Sequence, residues 1–381
     1  MKKIKKVLVL TDHMPWGHRS IAKTIYNYLK KNEKRDGFCV DYEEVKVDSL
    51  GGNEFYTLAY RFFPKINFIV HKAFFVKSIR DFFAKFSGLN LSLLAKTINK
   101  HKPDLVISSY FFHSHCLIKL REEFGFDFKI WTVVADPWTI NPVSFVPGAD
   151  LHIIYDEVGV KMAGKLGIEK KKVLTTGWWT KQEMYKRFDK FKMREKLGFT
   201  DDRPVIFVGG GSLGASWLLK FLSALFFVKK PVGVIFNTGK DRMAFKVIER
   251  YKEIFDKYFK KKSFIKIKNL GWIDNMAEVL AACDIVFGKA GPNFLFEVVA
   301  SGKPFVSITH IGGQEDGNID LIREKKLGWV KEKTTELAGF LKKYVENPER
   351  YNNRFRESIE EERKLNEGSL EKINTYLGRL L

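Results

Sequence analysis

Apolar residues along the chain fall into two series of short uninterrupted runs, each followed by a turn-like segment and then by apolar positions at helical spacing. In the first series Val7–Leu10, Asp104–Ser108, Ile130–Ala135 and Leu151–Tyr155 have the length and composition of strands buried on both faces. After the first run, Ile21, Ile25, Tyr28 and Leu29 recur at three- and four-residue intervals, which predicts a helix over Ser20–Lys30. The second series comprises Val205–Val208, Gly233–Phe236, Phe264–Lys268, Asp284–Phe287 and Pro304–Ile308, with helical patterns between. Strand and helix alternating over two series predict an α/β chain of two doubly wound parallel-sheet domains. The charged stretch Lys181–Arg203 separates the series and places the hinge near Thr176–Pro204. Ligands on such sheets bind beyond the carboxyl ends of strands, so the chemistry is sought there.

Composition agrees with this division. At 381 residues the chain exceeds the roughly 250–300 residues that one core organises. Its 45% hydrophobic and 29% charged content excludes disordered, collagenous and low-complexity classes. Cys39, Cys116 and Cys283 are too scattered for a disulfide framework or a thiolate metal site, so a reducing compartment is expected. The apolar run Val7–Leu10 stops at Thr11-Asp12, short of the roughly 7–15 residues of a secretory signal, and is read as a strand. No window approaches the ~18 uncharged apolar residues of a spanning helix. A soluble or surface-bound intracellular protein is expected. The 66 Lys and Arg against 45 Asp and Glu give a net charge of +21, which favours polyanions or simply coats a soluble surface. A nucleic-acid partner is not expected, because no helix-turn-helix, zinc-finger or aromatic ribonucleoprotein signature is present.

Three strand ends of the first series carry chemistry. In Met14-Pro15-Trp16-Gly17-His18-Arg19-Ser20, a glycine before a helix start allows close backbone approach, and His18 is either a general base or a locally packed loop residue. Asp136, in Val133-Val134-Ala135-Asp136-Pro137-Trp138, either orients a catalytic imidazole or takes a proton, or else caps a helix. His113, His115 and Cys116 lie close together but lack a fourth metal ligand, so no metal is assigned.

The second series holds three polar strand ends. Gly209-Gly210-Gly211-Ser212-Leu213-Gly214 leads from a strand into an apolar helix, where free amides and the helix dipole favour a phosphate. A tight turn explains the same glycines, and no Gly-Lys-Ser/Thr completes a Walker loop. Gly288-Lys289-Ala290-Gly291-Pro292-Asn293 makes a second such terminus, with Glu297 one turn on and placed to accept from ribose hydroxyls. Gly312-Gly313-Gln314-Glu315-Asp316-Gly317-Asn318 offers amides and carboxylates to sugar hydroxyls.

Taken in order, these segments resemble the inverting glycosyltransferases of the GT-B fold that include monogalactosyldiacylglycerol synthase and processive diacylglycerol glucosyltransferase. The peptidoglycan enzyme that adds N-acetylglucosamine to a lipid-linked acceptor is a more distant relative. Gly17-His18-Arg19 resembles the end of the family's glycine-rich His motif, Val133–Asp136 its Val-Val-Thr-Asp strand end, and Gly209–Gly214 its central glycine loop. Gly271-Trp272-Ile273 with Met276 looks like the segment bordering the uracil. Lys289–Pro292 with Glu297 resembles the helix start and ribose-binding glutamate, and Gln314-Glu315 through Asn318 the donor loop. Pro15 and Trp16 replace two glycines of the family, Asn293-Phe294 replace Gly-Thr, and Asn141 and Ser144 stand at a His and a Trp position.

The resemblance implies two doubly wound Rossmann-like domains facing a cleft. Residues 1–178 would bind acceptor and membrane, 179–203 would link, 204–366 would bind the nucleotide sugar, and a helix over 367–381 would return to the first domain. It implies His18, with Asp136, as base. Gly210, Gly211, Ser212, Gly271, Trp272, Ile273, Met276, Lys289, Gly291, Pro292, Asn293, Glu297, Gln314, Glu315 and Asn318 would be donor residues. Trp16 and His115 would be acceptor-side residues. UDP-sugar is a co-substrate; amides at Gly210–Ser212 and Gly291–Asn293 would stabilise the departing diphosphate, so no obligatory metal or other cofactor is expected.

The segment Phe55–Phe86 carries eleven aromatic residues, six Lys and Arg and one Asp. Phe75, Ile79, Phe82, Phe83 and Phe86 share one helical face, away from Lys77 and Arg80. Such a face either lies on an anionic bilayer or packs beneath the first sheet. The expected activity is hexose transfer from a UDP-sugar to a diacylglycerol-type lipid, at the cytoplasmic face of the cell membrane. N-acetylglucosamine transfer to a polyprenyl-diphosphate acceptor and UDP-sugar 2-epimerisation are the alternatives. Oligomeric state is left open.

Overall fold

The computed structural model describes residues 5–13, 17–46, 73, 75–76, 91–209, 216–259 and 264–380, with the backbone alone for Ser216, Trp217, Asp256, Tyr258 and Phe259. Trp16, Lys77, Arg80, Phe82, Phe83, Gly210, Gly211 and Ser212 lie outside the described residues. The chain divides into two compact units: residues 1–180, 312–314 and 365–381 form the first, and 181–311 with 315–364 the second.

The first unit holds a six-stranded parallel sheet in the order β2-β1-β3-β4-β5-β6. Its strands are β1 (Lys6–Thr11), β2 (Cys39–Glu44), β3 (Leu105–Ser108), β4 (Lys129–Val133), β5 (Leu151–Ile154) and β6 (Val173–Thr175). Among its helices are α1 (Gly17–Asp36), α2 (Leu91–His101), α3 (Phe111–Phe124) and α4 (Glu157–Lys165), and the C-terminal helix Ser369–Gly378 also belongs to this unit. Val7 to Leu10 are wholly buried because a central parallel strand is covered on both faces. Helix α1 buries Ile21, Ile25 and Leu29, as the spacing predicts, but runs to Asp36, well past Lys30.

The second unit repeats the plan, in the order β12-β11-β10-β7-β8-β9 and again all parallel. Strands β7 (Val205–Gly209), β8 (Val232–Asn237), β9 (Ile265–Leu270), β10 (Ile285–Lys289), β11 (Phe305–Thr309) and β12 (Gly328–Val330) make the sheet. Among its helices are α5 (Lys190–Lys196), α6 (Ser216–Leu225), α7 (Arg242–Phe259), α8 (Met276–Ala282), α9 (Pro292–Ala300), α10 (Asp316–Glu324) and α11 (Thr334–Glu346). The run β9-β8-β7-β10-β11-β12 is the doubly wound order, with its switch point between β7 and β10. In the first sheet the corresponding reversal lies between β1 and β3.

The charged stretch expected to link the domains is instead built into the second unit. Within it α5 places Arg194 on Asp284, Nη2 to Oδ2 at 2.5 Å, with both side chains buried. Arg194 Nε also donates to the Ala282 carbonyl at 3.0 Å, Lys190 reaches Asp284 Oδ1 at 2.5 Å, and the Val205 amide donates to Oδ2 at 2.7 Å. One buried carboxylate thus ties α5 to the first and fourth strands of the sheet.

Candidate active site

In the first unit the site forms where β1 and β3 part. His18 lies in the first turn of α1, and its Nδ1 is 2.9 Å from the Ser109 carbonyl, just beyond the end of β3. A carbonyl only accepts, so Nδ1 carries the proton and Nε2 keeps its lone pair. The Tyr110 ring meets the imidazole edge-on at 5.3 Å. Burial lowers the His18 pKa below its ordinary value, opposed by the Ser109 hydrogen bond and by the charge of Asp12. Base form, tautomer and ring plane are therefore set together.

Asp136 lies partly buried in the loop after β4, and no helix begins there for it to cap. The turn at Pro142–Ser144 is capped by Asn141, whose side chain accepts from the Val143 amide. Ser109 orients the imidazole, and the carboxylate acting on it through space is Asp12, buried at the end of β1 and 2.9 Å from His13. His115 Nε2 donates to the Val143 carbonyl at 3.0 Å, which ties α3 to that turn. His113 and Cys116 are completely buried in α3. Burial pushes His113 down to about 3 and the Cys116 thiol up to about 12, so neither ionises near neutrality.

In the second unit the site also forms at the switch point, where Gly209 pairs with Gly288. A β-carbon on Gly288 would lie 2.4 Å from the Gly209 carbonyl oxygen and 2.6 Å from the Phe294 ring, so only glycine fits. Phe294 packs between Phe207 and Phe305 at 6.0 and 5.9 Å, filling the core below the loop where the resembling family has a threonine. Gly291 caps α9, with Pro292 in its first turn.

Glu297, in the second turn of α9, is partly buried and makes no side-chain hydrogen bond among the described residues. Burial raises its pKa to about 7, with Lys181 lowering and Glu183 raising it through space. A desolvated carboxyl without a donor is suited to accept from a diol.

Two donor-loop residues have internal partners. Lys289 pairs with Glu315 Oε1, and the Ile311 amide donates to Oε2 at 2.8 Å, with Glu315 4% exposed. Asn318 Nδ2 donates to the Ala290 carbonyl at 2.8 Å and is fully buried. Glu315 thereby holds the loop before α10, and Asn318 the first turn of α10, against the β10–α9 turn; a β-carbon on Gly291 would sit 3.3 Å from Lys289 Nζ. At the end of β9, Trp272 exposes 64% of its surface, hydrogen-bonds Asp274 at 2.8 Å and carries the Lys240 ammonium 4.8 Å above its ring. Gly271 approaches Gly239, and Ile273 and Met276 are partly exposed beside it. Asp12, Ser109, Lys240 and His310 were not singled out from sequence, although each lies at or just beyond a strand end.

Residues 18–178 match the family model of monogalactosyldiacylglycerol (MGDG) synthase, and residues 205–368 match the glycosyltransferase family 28 C-terminal domain. A probable chloroplastic monogalactosyldiacylglycerol synthase of Nicotiana tabacum is 23% identical over 340 residues, covering 87% of this chain and 56% of that protein. The chain thus spans little more than half the length of this plant relative. A processive diacylglycerol beta-glucosyltransferase of Bacillus licheniformis is 23% identical over 328 residues, covering 82% of this chain and 80% of that protein. Acinetobacter baumannii MurG superposes with a TM-score of 0.61 at 13% identity, over 98% of this chain and 99% of its own. Anabaena HepE in complex with UDP-glucose superposes at 0.58 and 14% identity, over 98% of each chain.

Two doubly wound parallel sheets, each with its polar residues at a switch point, define the GT-B fold. The chain is thus similar over its first half to monogalactosyldiacylglycerol synthase and over its second half to the glycosyltransferase family 28 C-terminal domain. Among the described residues, no helix is long and apolar enough to cross a membrane.

Proposed function

We propose that the protein transfers a hexose from a UDP-sugar to the hydroxyl of a diacylglycerol-type lipid, with inversion, as a peripheral enzyme on the cytoplasmic face of a membrane. The observation that carries the chemistry is His18: its Nδ1 is committed to a backbone carbonyl and its Nε2 remains basic near neutrality. Nε2 takes the proton of the lipid hydroxyl while that oxygen bonds to the anomeric carbon, opposite the departing UDP. The bond from that carbon to the diphosphate oxygen breaks, and its electron pair leaves with UDP. Amides at the start of α9, together with those of Gly210–Ser212, stabilise the charge that develops, without an obligatory metal. Glu297 accepts from the ribose, and Trp272 with Lys240 borders the base.

The lipid acceptor is supported by the match of residues 18–178 to the galactolipid-synthase family and by the aromatic, basic segment Phe55–Phe86. Mass spectrometry of reactions pairing UDP-glucose, UDP-galactose and UDP-N-acetylglucosamine with diacylglycerol or polyprenyl-diphosphate acceptors in anionic vesicles tests the reading. Glycosyl-diacylglycerol is the expected product. Product on the polyprenyl acceptor alone, or epimerised donor without any glycolipid, would overturn it.

A further inference from the structure

The loop leaving β11 carries a histidine with no role in the reaction as described. His310 lies between carboxylates from two different elements. Its Nδ1 is 2.8 and 2.9 Å from the two oxygens of Glu332, which follows β12, and its Nε2 is 3.2 Å from Asp316 Oδ1, at the start of α10. Glu332 is itself held, its carboxylate by the Ser307 hydroxyl at 3.2 Å and its carbonyl by Lys220 at 3.1 Å. Carboxylates facing both ring nitrogens require both nitrogens to donate, which only the imidazolium does. The next residue, Ile311, gives its amide to Glu315, whose other oxygen takes Lys289. The loop from His310 to Asp316 is therefore fastened twice, once at the buried Lys289–Glu315 pair and once at the partly buried imidazolium.

We propose that His310 is a positioning residue of the donor site: its imidazolium clasps Glu332 and Asp316, tying the first turn of α10 to the segment after β12 and keeping the loop shaped for the nucleotide sugar. This rests on the reading of these strand ends as the donor site. Glu332 and Asp316 face the ring directly and Glu315 acts on it through space, while Lys289 is spent on Glu315. The hydrogen bond to Glu332 and the three negative charges raise the imidazole pKa against the effect of burial. A neutral ring donates to only one of its two carboxylates, so the clasp opens as pH rises through that raised pKa. Donor affinity gained through His310 is present below the ordinary imidazole pKa and is lost as pH rises through the raised one.

Isothermal titration of UDP into the wild type, His310→Gln and His310→Arg at pH 6 and pH 9 tests this, with thermal melts to establish folding. The Gln variant should bind about 5- to 10-fold more weakly than wild type at pH 6 and equally at pH 9. The Arg variant should match wild type at pH 6 and bind more tightly than wild type at pH 9. Titration of the UDP phosphate and of Glu297 is common to all three proteins and cancels in the ratios. A Gln-to-wild-type ratio that is the same at both pH values overturns the clasp. If the Gln variant does not fold, an Arg variant as pH-sensitive as wild type overturns it alone. A wild type that binds no UDP overturns the donor reading, and the clasp with it.

Discussion

At the scale of single residues, the two sites use burial in different ways. His18 is desolvated while its hydrogen bond to a backbone carbonyl fixes the tautomer, so its basic nitrogen is ready near neutrality. His18→Ala should lower turnover by roughly 10²–10⁴-fold with UDP affinity unchanged, as steady-state kinetics beside calorimetry would show; near-normal turnover removes the base. Since the neutral ring is required, kcat at saturating donor should fall on acidification through a pKa below the ordinary ~6.5. Glu297 shows the opposite case, an acid whose folded pKa is raised to about 7. Between its ordinary value of ~4.3 and 7 the folded state holds a proton that the unfolded state has released, so stability falls as pH rises across that window. Glu297→Gln should therefore raise the Tm at pH 8 but not at pH 4, while weakening UDP; a variant with unaltered UDP affinity removes Glu297 from the site. Both residues were legible in sequence, because each is a titratable group at a fixed distance from a strand end. Ser109 was not, because its contribution is a carbonyl that every residue possesses. Nor were the internal roles of Glu315 and Asn318, since a polar loop reads alike whether it faces a ligand or its own backbone.

At the scale of elements, the apolar runs revealed the interior strands, all of which need near-continuous hydrophobic sequence to be buried on both faces. The three unread strands, β2, β6 and β12, are all edges. Cys39–Glu44 reads CVDYEE and pairs on one side only, so its carboxylates reach Arg19, Lys100 and His101 without cost to a core. Segment 181–203 was misread for a related reason: its charges are numerous, yet Arg194 is buried on Asp284. Removing one partner of such a pair leaves an uncompensated buried charge. Asp284→Ala should cost about 3–5 kcal/mol in urea unfolding of the second domain; a loss below 1 kcal/mol would mean the segment is only loosely attached. Gly288→Ala should be comparably harmful, because its neighbours are a strand backbone and a packed ring that cannot both retreat.

At the scale of the whole molecule, a charge of +21 gives a long-range attraction for anionic surfaces that salt screens over ~8–10 Å. Vesicle flotation should show weak binding to neutral lipid and strong binding with phosphatidylglycerol, reduced but not abolished by salt. Phe82→Ser with Phe83→Ser should remove the salt-resistant fraction, since hydrophobic transfer does not depend on counterions. Normal flotation of a folded double variant would exclude that segment as the anchor. The composition pointed to polyanions without choosing among them; the match of the first domain to the galactolipid-synthase family supports the lipid. The central claim is a single displacement from a UDP-sugar onto diacylglycerol with His18 as base. The proton-NMR coupling of the anomeric hydrogen in the lipid product, formed from α-linked UDP-glucose or UDP-galactose, tests it most directly. The account predicts a β-linked glycosyl-diacylglycerol that His18→Ala fails to produce. An α-linked product, or sugar released to water with no glycolipid formed, would contradict it.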